Sequence, residues 1–93
     1  MKLQDKIVLV TGGSRGIGKA ISKLFVKEGA QVIITSKNIT KLEETAKEIN
    51  CSFFIGADIK SKKDVNNAID QIIEKFGRID ILVNNAGILP EQK

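Results

Sequence analysis

Four short apolar runs alternate along the chain with three stretches in which apolar residues recur every three to four positions. The first run, residues 6–11, contains Ile7-Val8-Leu9-Val10. It is apolar without alternation, which predicts a strand covered on both faces, as in a parallel sheet. Ile17, Ala20, Ile21, Leu24 and Phe25 follow at i, i+3, i+4, i+7 and i+8, the stripe of a core-facing helix over 16–28 that Gly29 ends. Val32-Ile33-Ile34 marks a second strand over 31–36, and Thr40-Lys41-Leu42-Glu43 reads as a capping box. The helix it starts turns Leu42, Ala46 and Ile49 inward and ends near Asn50. Phe53-Phe54-Ile55 marks a third strand over 52–57. Ser61 and Asp64 start a third helix, with Val65, Ala68, Ile69, Ile72 and Phe76 facing inward and Gly77 as its stop. Ile81-Leu82-Val83 supplies a fourth strand over 80–84.

Strand and helix alternating at this spacing predict an α/β protein with a doubly wound parallel sheet, because right-handed crossovers leave few other topologies. The expected strand order is 3-2-1-4, a partial Rossmann-type fold truncated after the fourth strand, with residues 1–93 forming one incomplete dinucleotide-binding domain. The switch point lies between strands one and four, and ligands bind outside the carboxyl ends of strands at such a point.

Composition narrows the classes. With 93 residues, no Trp or Tyr and four Phe, the core must be small and aliphatic. The net charge of +4 comes from lysines scattered beside glutamates on the helices, a pattern of solvated faces rather than a nucleic-acid stripe. No apolar run approaches bilayer length, so a cytoplasmic protein with no membrane partner is expected. Cys51 is the lone cysteine and histidine is absent, which argues against a disulfide or a transition-metal site. Cys51 reads as a small, partly buried hydrophobe.

Two motifs carry chemistry. Thr11-Gly12-Gly13-Ser14-Arg15-Gly16-Ile17-Gly18 joins the first strand to the first helix. The spacing Gly12-x-x-x-Gly16-x-Gly18 differs from Gly-x-Gly-x-x-Gly, but the physics is shared: glycines give a tight backbone path, and the helix aims free amides at a phosphate. Ser14 adds a hydroxyl donor. Asn84-Asn85-Ala86-Gly87 follows the fourth strand, so both motifs converge on one crevice. A carboxylate at the end of the second strand would hold the adenosine ribose of NAD. The chain has Thr35-Ser36-Lys37-Asn38 there, and Ser36, Lys37 and Arg15 together suit the 2′-phosphate of NADP. Read blandly, Lys37 and Arg15 are solvated surface cations.

In both motifs the chain resembles the short-chain dehydrogenase/reductases, with wording closest to the β-ketoacyl-acyl-carrier-protein reductase type. The resemblance runs through Phe76-Gly77-Arg78-Ile79-Asp80 and extends over essentially the whole chain. It implies an NAD(P)-dependent oxidoreductase acting on a carbonyl or alcohol. It implies that Asp58 accepts the adenine amino group with Ile59 flanking the ring; taken alone, Asp58 is equally a turn or helix-entry residue. It also implies that one asparagine of the second motif ties neighbouring strands together, while Ala86 and Gly87, with almost no side chain, would let the nicotinamide-side ribose pass close to the backbone. The expected cofactor-binding set is therefore Gly12, Ser14, Arg15, Gly16, Ile17, Gly18, Ser36, Lys37, Asp58, Ile59, Asn85, Ala86 and Gly87, with NADP favoured over NAD.

The family's tyrosine acid has no counterpart, since the chain contains no tyrosine, and no catalytic residue is assigned. The expectation is the cofactor-binding portion of a reductase, inactive alone; the alternative is a non-enzymatic dinucleotide-binding or interaction module. With only the 62–76 helix on the second face of the sheet, alternate members of Ile7-Val8-Leu9-Val10 are expected to meet water. Self-association through that face or the strand-four edge, or else a loosely folded chain, is expected to follow.

Overall fold

The structure, a computed structural model, describes residues 3–12, 14 and 16–84. Its elements are β1 (Ile7–Thr11), α1 (Gly16–Lys27), β2 (Gln31–Ser36), α2 (Ile39–Ile49), β3 (Phe53–Gly56), α3 (Lys62–Phe76) and β4 (Ile81–Asn84). The four strands form one parallel sheet in the order β3-β2-β1-β4. The doubly wound α/β architecture read from the sequence is the one observed.

Pleating sends neighbouring residues of β1 and β2 into two different cores. Val8, Val10, Val32 and Ile34 pack under α1 and α2 with Leu42, Ala46 and Ile49. Ile7, Leu9 and Ile33 pack under α3 with Ile55, Ala68 and Ile72. Residues 7–10 of β1 are all at most 3 % exposed, which overturns the expectation that half of them meet water. A helix is about 10 Å across and strands lie about 4.8 Å apart, so α3 alone shields β1 to β3. What it does not reach is β4, where Leu82, opposite Leu9 in the register, is 58 % exposed.

The expected inner stripe of α1 is also corrected. Ile17 and Leu24 are 69 % and 56 % exposed, and Ala20 is exposed too. The helix instead buries Gly18 and Ser22, with Phe25 and Val26 partly covered. Small residues let the helix axis approach the strands closely, and the Ser22 hydroxyl is satisfied within the helix by donating to the Gly18 carbonyl at 2.8 Å.

The start of α2 moves as well. Its N-cap is Asn38, whose Oδ1 accepts the Lys41 N–H at 3.0 Å, and Thr40 lies inside the first turn. Asparagine outranks threonine at that position, and the earlier start adds the Leu42 N–H to Asn38 carbonyl bond at 2.9 Å. Asn50, left-handed at φ 58°, ends the helix where expected. The Ser61 cap of α3 is as read, accepting the Asp64 N–H at 3.1 Å. The Asp64 carboxylate, however, takes the N–H of Asp58 at 2.9 Å rather than closing a box on Ser61. Cys51 is half-buried; its thiol donates to the Phe53 carbonyl at 3.4 Å, and burial pushes its pKa up, as suits a packing residue.

β4 is fastened to β1 at its start by a carboxylate. Ile7 donates its N–H to Asp80 Oδ2 at 2.8 Å, the Asp80 N–H donates to the Ile7 carbonyl at 2.8 Å, and Arg78 Nε reaches both carboxylate oxygens at 3.0 and 3.1 Å. The Ile7 amide first, and the Arg78 guanidinium after it, hold the Asp80 carboxyl below its ordinary value. A lowered carboxylate pKa means stability present above the unfolded value, about 4, and lost as pH falls through the folded one. Asp80→Asn keeps an acceptor for Ile7 but abolishes the titration. It should therefore lower the melting temperature at pH 7 and reduce the further loss on acidification below about pH 4. Glu48, paired with Lys19 at 2.7 Å, titrates in both proteins and cancels from the comparison. Parallel melting-temperature profiles for the two proteins from pH 7 to pH 3 would remove Asp80 from the acid response.

Candidate functional site

The carboxyl ends of β1, β2 and β3 open on one cleft, and the chain turns there because its backbone is held. Gly12 follows β1 at φ 69°, a left-handed conformation that favours glycine, while its N–H donates to the Thr35 carbonyl at 2.9 Å. Gly16 opens α1 at φ 60°, and a Cβ built there would meet nothing within 4 Å. Conformation, not crowding, demands glycine at that point. The first turn of α1 carries no acidic residue. An anion there meets amides and the positive end of the dipole.

Hydroxyls arrange the middle of the wall. Ser14, 3 % exposed, shares a hydrogen bond of 3.0 Å with Ser36 at the end of β2, and Ser36 Oγ also accepts the Asn38 N–H at 3.2 Å. Two hydroxyls bonded to each other use one of their two hydrogens. The other remains to donate. Lys37 stands exposed beside them, and the last residues of β2 include no carboxylate.

The cleft holds about 220 Å³, and its walls include Gly12, Ser14, Ser36, Lys37, Asp58 and Ile59. Six residues singled out in the sequence are thus brought together from three strand ends. Gly16, Ile17 and Gly18 form the first turn of α1 and are not part of that wall: Ile17 points to solvent and Gly18 serves helix–sheet packing. Below Ile59 a small apolar void of about 20 Å³ continues between Leu9, Thr11 and Ala68. Asp58 is a turn residue as well as a wall residue. Its Oδ1 accepts the Lys60 N–H at 2.9 Å and its carbonyl accepts the Ser61 N–H at 2.8 Å, so its position is fixed by the entry into α3.

At the β1–β4 end, Thr11 Oγ1 lies 3.0 Å from Asn84 Oδ1 and 3.3 Å from the Val83 carbonyl. The Asn84 side chain thus links β4 to β1. Arg15, Asn85, Ala86 and Gly87 lie outside the described residues. Sequence reading missed Thr45, a fully buried hydroxyl on α2 that donates to the Ser14 carbonyl at 2.7 Å. The only available signal was a polar residue in the buried stripe of a helix, which demands a partner without naming it.

The sequence pattern of the family described as short chain dehydrogenase matches residues 6–93. The chain belongs to that family. This short-chain dehydrogenase chain is 41 % identical over 85 residues to bovine (Bos taurus) L-fucose dehydrogenase, covering 91 % of its own length and 32 % of that enzyme. A crystal structure of a short chain dehydrogenase from Mycobacterium smegmatis superimposes with a TM-score of 0.84 at 35 % identity, over 89 % of this chain and 37 % of that one. A structure of an actinorhodin polyketide ketoreductase variant with NADPH gives a TM-score of 0.83 at 29 % identity, over 87 % of this chain and 33 % of that one. The chain spans about a third of the length of the curated relatives it matches. Short-chain dehydrogenases are oxidoreductases that bind a nicotinamide dinucleotide, and the Rossmann-type region that does so is the one seen here. Among the described residues no helix is long and apolar enough to cross a membrane.

Proposed function

We propose that this chain is the NADP(H)-binding portion of a short-chain dehydrogenase that interconverts a carbonyl and an alcohol. The observation carrying the reading is the end of β2. Ser36 and Lys37 wall the cleft, a hydroxyl hydrogen is unspent, and no acid stands where a free ribose would need one. A 2′-phosphate needs donors and positive charge, and a ribose 2′-hydroxyl needs an acceptor. Arg15 joins the phosphate side of this reading, and Asn85, Ala86 and Gly87 the nicotinamide side. Bound, the dinucleotide supplies or accepts a hydride. The chain's own residues hold its adenosine end: Asp58 and Ile59 at the adenine, the α1 amides behind Gly16 at the pyrophosphate, and Ser14, Ser36 and Lys37 at the 2′-phosphate.

NADPH should therefore bind more tightly than NADH. A charge-assisted contact is worth about 1.5–3 kcal/mol, or roughly 10- to 150-fold. Lys37→Asp should erase or reverse the preference in a fluorescence titration. Equal curves for both dinucleotides with the unmutated chain would overturn the assignment.

Reduction of a ketone also needs a proton donor at the developing alkoxide. With no tyrosine in the chain, the purified protein should not oxidise NADPH above background with ketones or acetoacetyl thioesters. Turnover that disappears in Gly16→Asp would show that another acid serves.

The β4 edge is the place where a second copy of the chain would pair, because β4 ends the sheet order and its Leu82 stands exposed. Sedimentation should show a concentration-dependent dimer that Leu82→Lys dissociates. A monomer at all concentrations would rule this out.

A further inference from the structure

We infer that Thr45 is a positioning residue for the 2′-phosphate end of the cleft, an inference that rests on the NADP(H) reading above. Thr45 lies in the second half of α2 and is fully buried. Its Oγ1 donates at 2.7 Å to the carbonyl of Ser14, a residue 31 positions earlier in the chain. Ser14 is bonded through its hydroxyl to Ser36 at 3.0 Å, and Ser36 accepts the N–H of Asn38 at 3.2 Å. Asn38 caps the same helix through its 3.0 Å bond from the Lys41 N–H. The contacts close a ring. It runs from the glycine loop to the end of β2, into the cap of α2, along about two turns of helix, and back to the loop.

Two points of that ring are the groups assigned to the phosphate. The Ser14–Ser36 pair presents its free hydrogen to the cleft only while the loop stays against α2. The Ser14 carbonyl is what holds it there. Among the described residues, β2 gives the loop a backbone bond at Gly12, whose N–H donates to the Thr35 carbonyl two residues before Ser14. A hydroxyl with no place in the cleft therefore sets where a cleft hydroxyl points.

Valine matches the shape of threonine but cannot donate. In Thr45→Val the Ser14 carbonyl loses a buried donor, which is strongly unfavourable, and the loop must shift toward water. Ser14 then leaves Ser36, and the site loses selectivity for the phosphate. Thr45→Ser keeps the donor.

The test uses the whole chain, unmutated and in both variants, with NADPH and NADH titrated separately and amide exchange followed by NMR. In Thr45→Val the ratio of the NADH to the NADPH dissociation constant should fall by about fivefold or more, and Thr45→Ser should retain it. Amide exchange at Asn38 should accelerate in the valine variant relative to Val10 and Ile34 in the sheet. A selective unmutated chain whose selectivity survives Thr45→Val overturns this inference alone. So does equal weakening of both dinucleotides, or unchanged exchange at Asn38. An unmutated chain that binds both dinucleotides alike overturns the NADP(H) reading and this inference with it.

Discussion

Everything at the cleft depends on β1 being paired on both edges and buried on both faces. Its residues pair with β2 from Ile7 opposite Gln31 to Thr11 opposite Thr35, and with β4 from Val8 opposite Ile81 to Thr11 opposite Asn84. A strand so enclosed cannot slip its register, since one residue of slip would exchange the α1–α2 core for the α3 core. Its carboxyl end therefore stands at a fixed point, and the Gly12 N–H is delivered to the Thr35 carbonyl by that register. Among the described residues of the turn into α1, Gly12 and Gly16 are left-handed.

The opposite end of β1 is secured by different chemistry. Asp80 answers the Ile7 amide with a carboxylate that Arg78 also holds, and Arg78 Nη2 reaches on to the Asp5 carbonyl at 3.1 Å. A carboxylate fastens the amino end of β1, whereas the side chains that tie the glycine loop in place are neutral hydroxyls. The division has a physical reason. A carboxylate beside the glycine loop would repel the anion that the helix end attracts, whereas Thr11, Ser14, Ser36 and Thr45 satisfy buried groups without adding charge.

The sequence displayed the order of elements, the strand order and six of the cleft residues, because apolar runs and glycines report directly on burial and on backbone conformation. It misreported the inner face of α1, because a search for bulky apolar residues passes over a face made of Gly18 and Ser22. It placed the cap of α2 at Thr40 because hydroxyl and carboxylate stood three apart, although Asn38 offers the better acceptor two residues earlier. It underestimated α3 because helix count, unlike helix width, is what a linear pattern shows. Thr45 was illegible for another reason: its partner is a backbone carbonyl 31 residues away, and backbone carbonyls leave no mark in a sequence.

That last case bears on how such a cleft is built. Gly16 has open space around it, so the loop gains little rigidity from packing at that point. Glycine also costs more conformational entropy to order than any other residue. A loop rich in glycine therefore needs directional bonds to stay in one place, and the end of β2 supplies two of them, one from the Gly12 N–H to the Thr35 carbonyl and one between the Ser14 and Ser36 hydroxyls. At Ser14 α2 adds another, from the Thr45 hydroxyl to the Ser14 carbonyl. The two core clusters divide the labour accordingly. The cluster under α3 carries the wall that holds Asp58 and Ile59. The cluster under α1 and α2, by burying Leu42, Ala46 and Ile49, fixes the rotation of α2 that aims Thr45 at the loop. Hydrophobic burial sets the helix, and the helix sets the hydrogen bond.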